Sequence, residues 1–227
     1  MTYARKGSQR WLQIAVDRAP HLLTVPLVSA LGLVAGEDVD WRSPRRSEKF
    51  IEYRDQAAFD LMGSRLEQRP LRDFWPAGGP VWDALGRSTI SGQQILVEAK
   101  AHIAEMISPA SKASEPSLKR IRAALTAVRD ELSPKSDQDW SGVFYQYTNR
   151  LAYLHFLRIQ NKQPAHLVFV YFVNAHDVTG PTTRVEWDGA IKLVESYLGV
   201  TRHRLSQYVH KVFIDVDDLR PFVEDEG

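Results

Sequence analysis

The 227-residue chain has no cysteine, an absence that excludes disulfides, zinc–thiolate sites, iron–sulfur clusters and thiol nucleophiles. A reducing compartment is compatible with it. A long hydrophobic run is missing too. The most apolar stretch, Ala19 to Gly36, is interrupted by His21, Thr24, Pro26 and Ser29, short of the roughly 20 apolar residues a spanning helix needs. Arg5, Lys6, Arg10, Asp17 and Arg18 make a mixed-charge leader with no A-x-A site after it, which does not read as a signal peptide. The expectation is an intracellular, cytoplasmic protein without a membrane partner. Neither charge dominates: 29 Lys plus Arg face 28 Asp plus Glu, a formal net charge of +1, so any polyanion has to be met by local charge. Walker A, Rossmann, H-E-x-x-H and G-x-S-x-G patterns are all absent, which removes the common nucleotide, zinc and serine-hydrolase scaffolds.

What is present is the composition of a folded protein, 44% hydrophobic and 25% charged, long enough to bury a core. No repeat or linker divides it, and residues 1–227 read as one domain. Trp11, Ile14, Ala15 and Leu22 predict a helical N-terminus, with Pro26 opening a second short helix that stops near Gly32 or Gly36. Phe50, Ala57, Ala58, Leu61 and Met62 predict a helix from a Ser47 cap to Leu66. Three strand-like pieces follow, Leu71–Trp75, Pro80–Arg87 and Gln94–His102, with a hairpin over Gly86 to Gly92. After an exposed loop from Ser108 to Pro116, helices are predicted over Ser117–Leu132 and Trp140–Ile159. His166–Val173, apolar on both faces, predicts a buried central strand. A helix from Glu186 to Leu198, closed by Gly199, and a strand over Val212–Val216 complete the chain.

The candidate chemistry lies in the second and third strand-like pieces. Side chains alternate along a strand, so Glu98 and Lys100 share one face while Val97, Ala99 and Ala101 take the other. If the pieces pair, Asp83 lies beside them. Two carboxylates supply hard oxygen ligands for Mg²⁺, with Mn²⁺ able to substitute. The ion polarises a phosphate and lowers the pKa of bound water, and a lysine two residues away orients that water or stabilises developing charge. That combination suits hydrolysis of a phosphodiester. An acid-x-lysine triplet is expected by chance about once in a chain of this length, and a surface hairpin with an ordinary cross-strand pair is the alternative. Yet charges inside so apolar a run are costly and mark function.

At this point the sequence resembles the PD-(D/E)XK, or restriction-endonuclease-like, nuclease superfamily. Over roughly residues 47–174 it offers helix, three strands, helix, strand in that family's order, with Asp83 on the second strand and Glu98-x-Lys100 on the third. The proline that directly precedes the family's aspartate is replaced by Trp82, and the helix of Leu118–Leu132 is an insertion. Residues 1–46 read as a helical extension and residues 175–227 as a C-terminal helix and strand. The resemblance implies an α/β, restriction-endonuclease-like fold and a metal-dependent nuclease acting on DNA. Asp83 and Glu98 would hold Mg²⁺ with the carbonyl of Ala99, Lys100 would activate or position water, and Gln146 would orient either. Glu52, four residues from Glu48, is the candidate additional acid. His102 and Glu105 follow the triplet towards the same cleft. Lys112, Lys119, Arg120 and Arg122, with Asn149 and Arg150 on the polar stripe of the next helix, are the candidate nucleic-acid contacts. A homodimer is compatible with the resemblance. The alternative is a nucleic-acid-binding or assembly protein with the same fold and little catalysis.

Overall fold

Every residue of the strand Ala165–Val173 is buried, as its two apolar faces predict, because it is paired on both edges and covered on both sides. The computed structural model containing it describes residues 2–108 and 111–223. In chain order the elements are α1 (Gly7–Arg18), α2 (Pro20–Leu31), β1 (Val39–Ser43), β2 (Tyr53–Arg54), α3 (Asp55–Leu61), α4 (Leu71–Phe74), β3 (Val81–Trp82), β4 (Ala84–Ser88) and β5 (Gln94–Lys100). They continue with α5 (Glu115–Leu132), α6 (Tyr145–His155), β6 (Ala165–Val173), α7 (Arg184–Leu198), β7 (Val209–Asp215) and α8 (Val216–Leu219).

The protein is mixed α/β. Its main sheet has five strands in the order β1-β4-β5-β6-β7. The β1–β4 and β4–β5 pairs are antiparallel, whereas β5–β6 and β6–β7 are parallel. Parallel neighbours need a crossover: α5 and α6 lie between β5 and β6, and α7 between β6 and β7. On one face Ile95, Val97, Ala99, Val168 and Val170 pack with Trp11, Ile14, Leu23 and Leu27 of α1 and α2. On the other Leu96, Leu167, Phe169 and Tyr171 pack with Leu125, Leu151, Leu154, Trp187 and Ile191 of α5, α6 and α7. Each of the Val, Leu, Ile and Phe side chains among them contributes about 1.5–3 kcal/mol when fully buried. No single helix among the described residues is long and apolar enough to cross a membrane; α1 and α2, apolar enough only together, are bent by 92°.

Several sequence expectations change. Residues of the expected N-terminal extension supply two helices that cover a sheet face and the edge strand β1, whose burial alternates along Val39, Trp41 and Ser43. α2 begins at Pro20 and carries Pro26 inside it, though it does stop at Gly32, whose left-handed φ of 61° ends it. No helix spans Ser47–Leu66: Lys49 and Phe50 take φ of 62° and 55°, which breaks a helix at once. Phe50 instead packs on the Tyr3 ring, and only Asp55–Leu61 is helical. Leu71–Trp75 is not a strand; Leu71 and Phe74, three apart, are buried on one side of the short α4. Pro80–Arg87 is divided at Asp83 into β3 and β4. α6 starts at Tyr145, five residues after Trp140, and runs into a wide π turn over Phe156–Gln160. The Ser108 end of the expected exposed loop is buried, while Pro109 and Ala110 lie outside the described residues.

Candidate active site

The site forms where the β4–β5 ladder stops. Its last pair is Ala84 with Val97, and beyond it the Asp83 side chain replaces the missing strand: Oδ2 accepts the Ala99 N–H at 2.7 Å. Glu98 and Lys100 point to the α6 side of β5, as alternation requires. There Lys100 Nζ donates to Glu98 Oε1 and, at 2.9 Å, to Gln146 Oε1 at the start of α6. Ser108 Oγ accepts the Gln146 N–H at 2.9 Å and anchors that helix start. From the next turn Arg150 Nε donates to Glu98 Oε2 at 2.6 Å.

Asp83, Glu98, Ala99, Lys100, Gln146, Asn149 and Arg150 thus meet at one cleft of about 640 Å³, which Lys112, Glu105, Ser8 and the Gly78-Gly79-Pro80 loop also line. Burial, and then the charge of Glu98, push the Asp83 carboxyl up to about 7. Burial raises Glu98 as well, but Arg150 and then Lys100 outweigh it and hold that carboxylate below its usual range. Burial lowers Lys100 while Glu98 and Asp83 outweigh that, so its ammonium stays protonated.

Other candidates fall elsewhere. Glu48 and Glu52 share no helix face, since that helix does not form; Glu48 accepts from the Tyr53 hydroxyl. Glu52 nonetheless comes within electrostatic reach of the site. Gln9 of α1 donates to it at 2.9 Å, burial raises its carboxyl against that bond, and the Glu98 charge adds to the rise. Lys119 and Arg122 line a separate groove with Glu115 and Pro116. Arg120 faces another with Arg69 and donates to the Arg72 carbonyl. Only Lys112 of the four expected basic contacts reaches the cleft. Arg150 also lines it but is 4% exposed, and its guanidinium donates to Glu98, Val81 and Asn149. His102 instead accepts from the Ala104 N–H. Among the described residues no three His, Cys, Asp or Glu side chains gather as metal ligands.

Sequence reasoning missed the wall built by Asp55. Held at a left-handed φ of 53°, Asp55 accepts the N–H groups of Gly78 and Gly79, both at 3.0 Å. Hydrogen bonds to a carboxylate are strong enough to offset about 1–3 kcal/mol of backbone strain. The signal was the Gly-Gly pair four residues before Asp83, which reads from sequence only as a turn. The chain matches no family model, curated protein or solved structure with which it was compared.

Proposed function

We propose that this protein is a metal-dependent nuclease that hydrolyses DNA phosphodiester bonds on a restriction-endonuclease-like core. The observation carrying the proposal is the convergence of Asp83, Glu98, Lys100 and Gln146, from three separate elements, at one open cleft. The element order supports it in a revised form. α1 takes the place of the first helix, β1 that of the Leu71 piece, and β4, β5, α6 and β6 follow in the order the resemblance implies.

The donor set fits a divalent cation. The buried Glu98 and the half-buried Asp83 lie close enough for one carboxylate to push the other's pKa up, and Mg²⁺ characteristically uses one or two carboxylates and keeps waters and substrate oxygens elsewhere. Asp83 and Glu98 would hold it, beside Ala99, and it would supply Lewis-acid polarisation of the phosphate and a more acidic bound water. The chain's own groups do the rest. Lys100 Nζ, aimed by Gln146, donates to a phosphate oxygen and stabilises the added negative charge of the transition state. Lys112 offers a second positive charge at the rim. Water oxygen bonds to phosphorus, the bond to the leaving oxygen breaks, and a proton from water ends on that oxygen.

One observation favours a second reading: both Glu98 oxygens are already engaged by cationic side chains, as in a nucleic-acid-binding or assembly protein with little catalysis. Purified wild type and Lys100→Ala, incubated with labelled single-stranded, duplex and branched DNA and RNA in Mg²⁺, Mn²⁺ or EDTA, separate the two. Metal-dependent DNA cleavage that the variant lacks supports the nuclease. Binding without cleavage by wild type supports the second reading, and cleavage by Lys100→Ala at the wild-type rate overturns the assignment.

A further inference from the structure

Resting on the nuclease reading, we infer that Arg150 is a positioning residue, which sets the spacing between Glu98 and Asp83 and touches no substrate. Each of its three guanidinium nitrogens donates within the protein. Nε donates to Glu98 Oε2 at 2.6 Å, Nη2 to the Val81 carbonyl at 2.6 Å and Nη1 to Asn149 Oδ1 at 3.0 Å. Nη2 also pairs with the same Glu98 oxygen. The plane lies over the Trp82 ring, with Cζ 4.7 Å from its centroid.

These partners belong to the two segments that carry the acids. Glu98 is on β5; Val81 and Trp82 are β3, immediately before Asp83. β3 pairs with the two-residue β2, and Asp83 is held to β5 on its other side by the Ala84–Val97 pair and by its bond to the Ala99 N–H; the guanidinium adds the side-chain tie from β3 to Glu98 itself. A planar fork spreads its donors over three nitrogens and so spans partners that the three donors of a lysine, all on one atom, cannot reach together. The same contact takes Oε2 of Glu98 out of play. Only Oε1, shared with Lys100, is left to turn towards a cation, and a phosphate entering the cleft meets Lys100 and Lys112 instead of Arg150.

Arg150→Lys keeps the charge and removes the fork. Mn²⁺ binding followed by electron paramagnetic resonance, and binding of a labelled DNA duplex in EDTA, are measured on the purified full chain. The expected result is a Mn²⁺ affinity lower by about 10–100-fold, the usual effect of losing a group that orients a ligand, with duplex binding unchanged. Asn149→Ala frees only Nη1, and it is measured in parallel in case the lysine variant does not fold; a smaller loss of Mn²⁺ affinity in the same direction is expected. Wild-type Mn²⁺ affinity in the folded variants overturns the inference and leaves the nuclease reading standing. Weaker duplex binding by Arg150→Lys in EDTA also overturns it, by making Arg150 a substrate contact. A wild-type protein that binds no Mn²⁺ overturns the nuclease reading itself, and the inference with it.

Discussion

Gly79 lines the cleft four residues before Asp83, and its lack of a side chain is required by space. A Cβ placed there would stand 2.2 Å from Tyr153 Oη, 3.2 Å from Tyr153 Cζ and 2.9 Å from Asp55 Oδ1. Its neighbour Gly78 is needed for a different reason, a φ of 81°. Tyr153 is buried within the rings of Phe59, Phe74, Trp75, Trp82 and Phe156, and its hydroxyl has no hydrogen-bond partner. Gly79→Ala must therefore displace either the loop or the ring, an overpacking that costs about 1–3 kcal/mol, or roughly 2–12 °C in Tm for a chain of this size. Tyr153→Phe removes a buried, unpaired hydroxyl, whose desolvation costs about 1–3 kcal/mol, so that variant should be as stable as wild type or more so. In the double variant the 2.2 Å contact is gone. Chemical denaturation of all four proteins should then give a favourable coupling energy of at least about 1 kcal/mol. Strict additivity, or a loss of stability in Tyr153→Phe alone, would refute the packing argument.

The remaining predictions concern the charges. In the folded chain burial and the Glu98 charge push the Asp83 carboxyl from the ordinary 3.8 up to about 7. Between those pH values the folded state keeps a proton that the unfolded chain has released, and the contribution of Asp83 to stability falls as pH rises. Asp83→Asn removes that slope, so its Tm relative to wild type should climb from about pH 4 to about pH 7 and level off above; a constant difference would show that Asp83 is not perturbed. Glu98→Gln leaves Lys100 and Arg150 buried without their counter-ion and should cost about 3–5 kcal/mol, roughly 6–20 °C by calorimetry; a shift below about 2 °C would mean that the ion pairs do not form. Because Glu98 titrates below its usual range, the stability it contributes is present above that range and lost as pH falls through its folded pKa. If the cleft binds nucleic acid, Lys112→Ala should weaken binding and flatten its salt dependence by about one unit of slope, whereas Lys119→Ala, facing another groove, should leave both unchanged.

Long periodic segments were legible in sequence because their signal is local. α5, α7, β5 and β6 lie within a few residues of where their patterns put them, and the face shared by Glu98 and Lys100 followed from alternation alone. Residues 47–66 failed for a physical reason. Their apolar side chains have helical spacing, yet Phe50 packs on Tyr3 near the N-terminus while Phe59 packs on Tyr153, more than a hundred residues apart. Spacing cannot reveal that one stripe serves two cores. β1 was missed because a short strand with half-buried Asp40 and Arg42 carries almost no pattern until β4 pairs with it.

The sequence by itself determined the mixed α/β composition, the buried strand Ala165–Val173, the lack of thiol chemistry, and the placing of an acid and a lysine on one strand face, all of which follow from residue type and short-range periodicity. Only the tertiary structure decided that Asp83 reaches the Ala99 N–H, that Arg150 is an internal tie rather than a surface cation, that Asp55 holds the cleft wall, and that Lys119 and Arg122 face away. Those outcomes depend on which distant segments share a wall and on how burial and neighbouring charges set each ionisation, and neither is written in the spacing of residues along the chain.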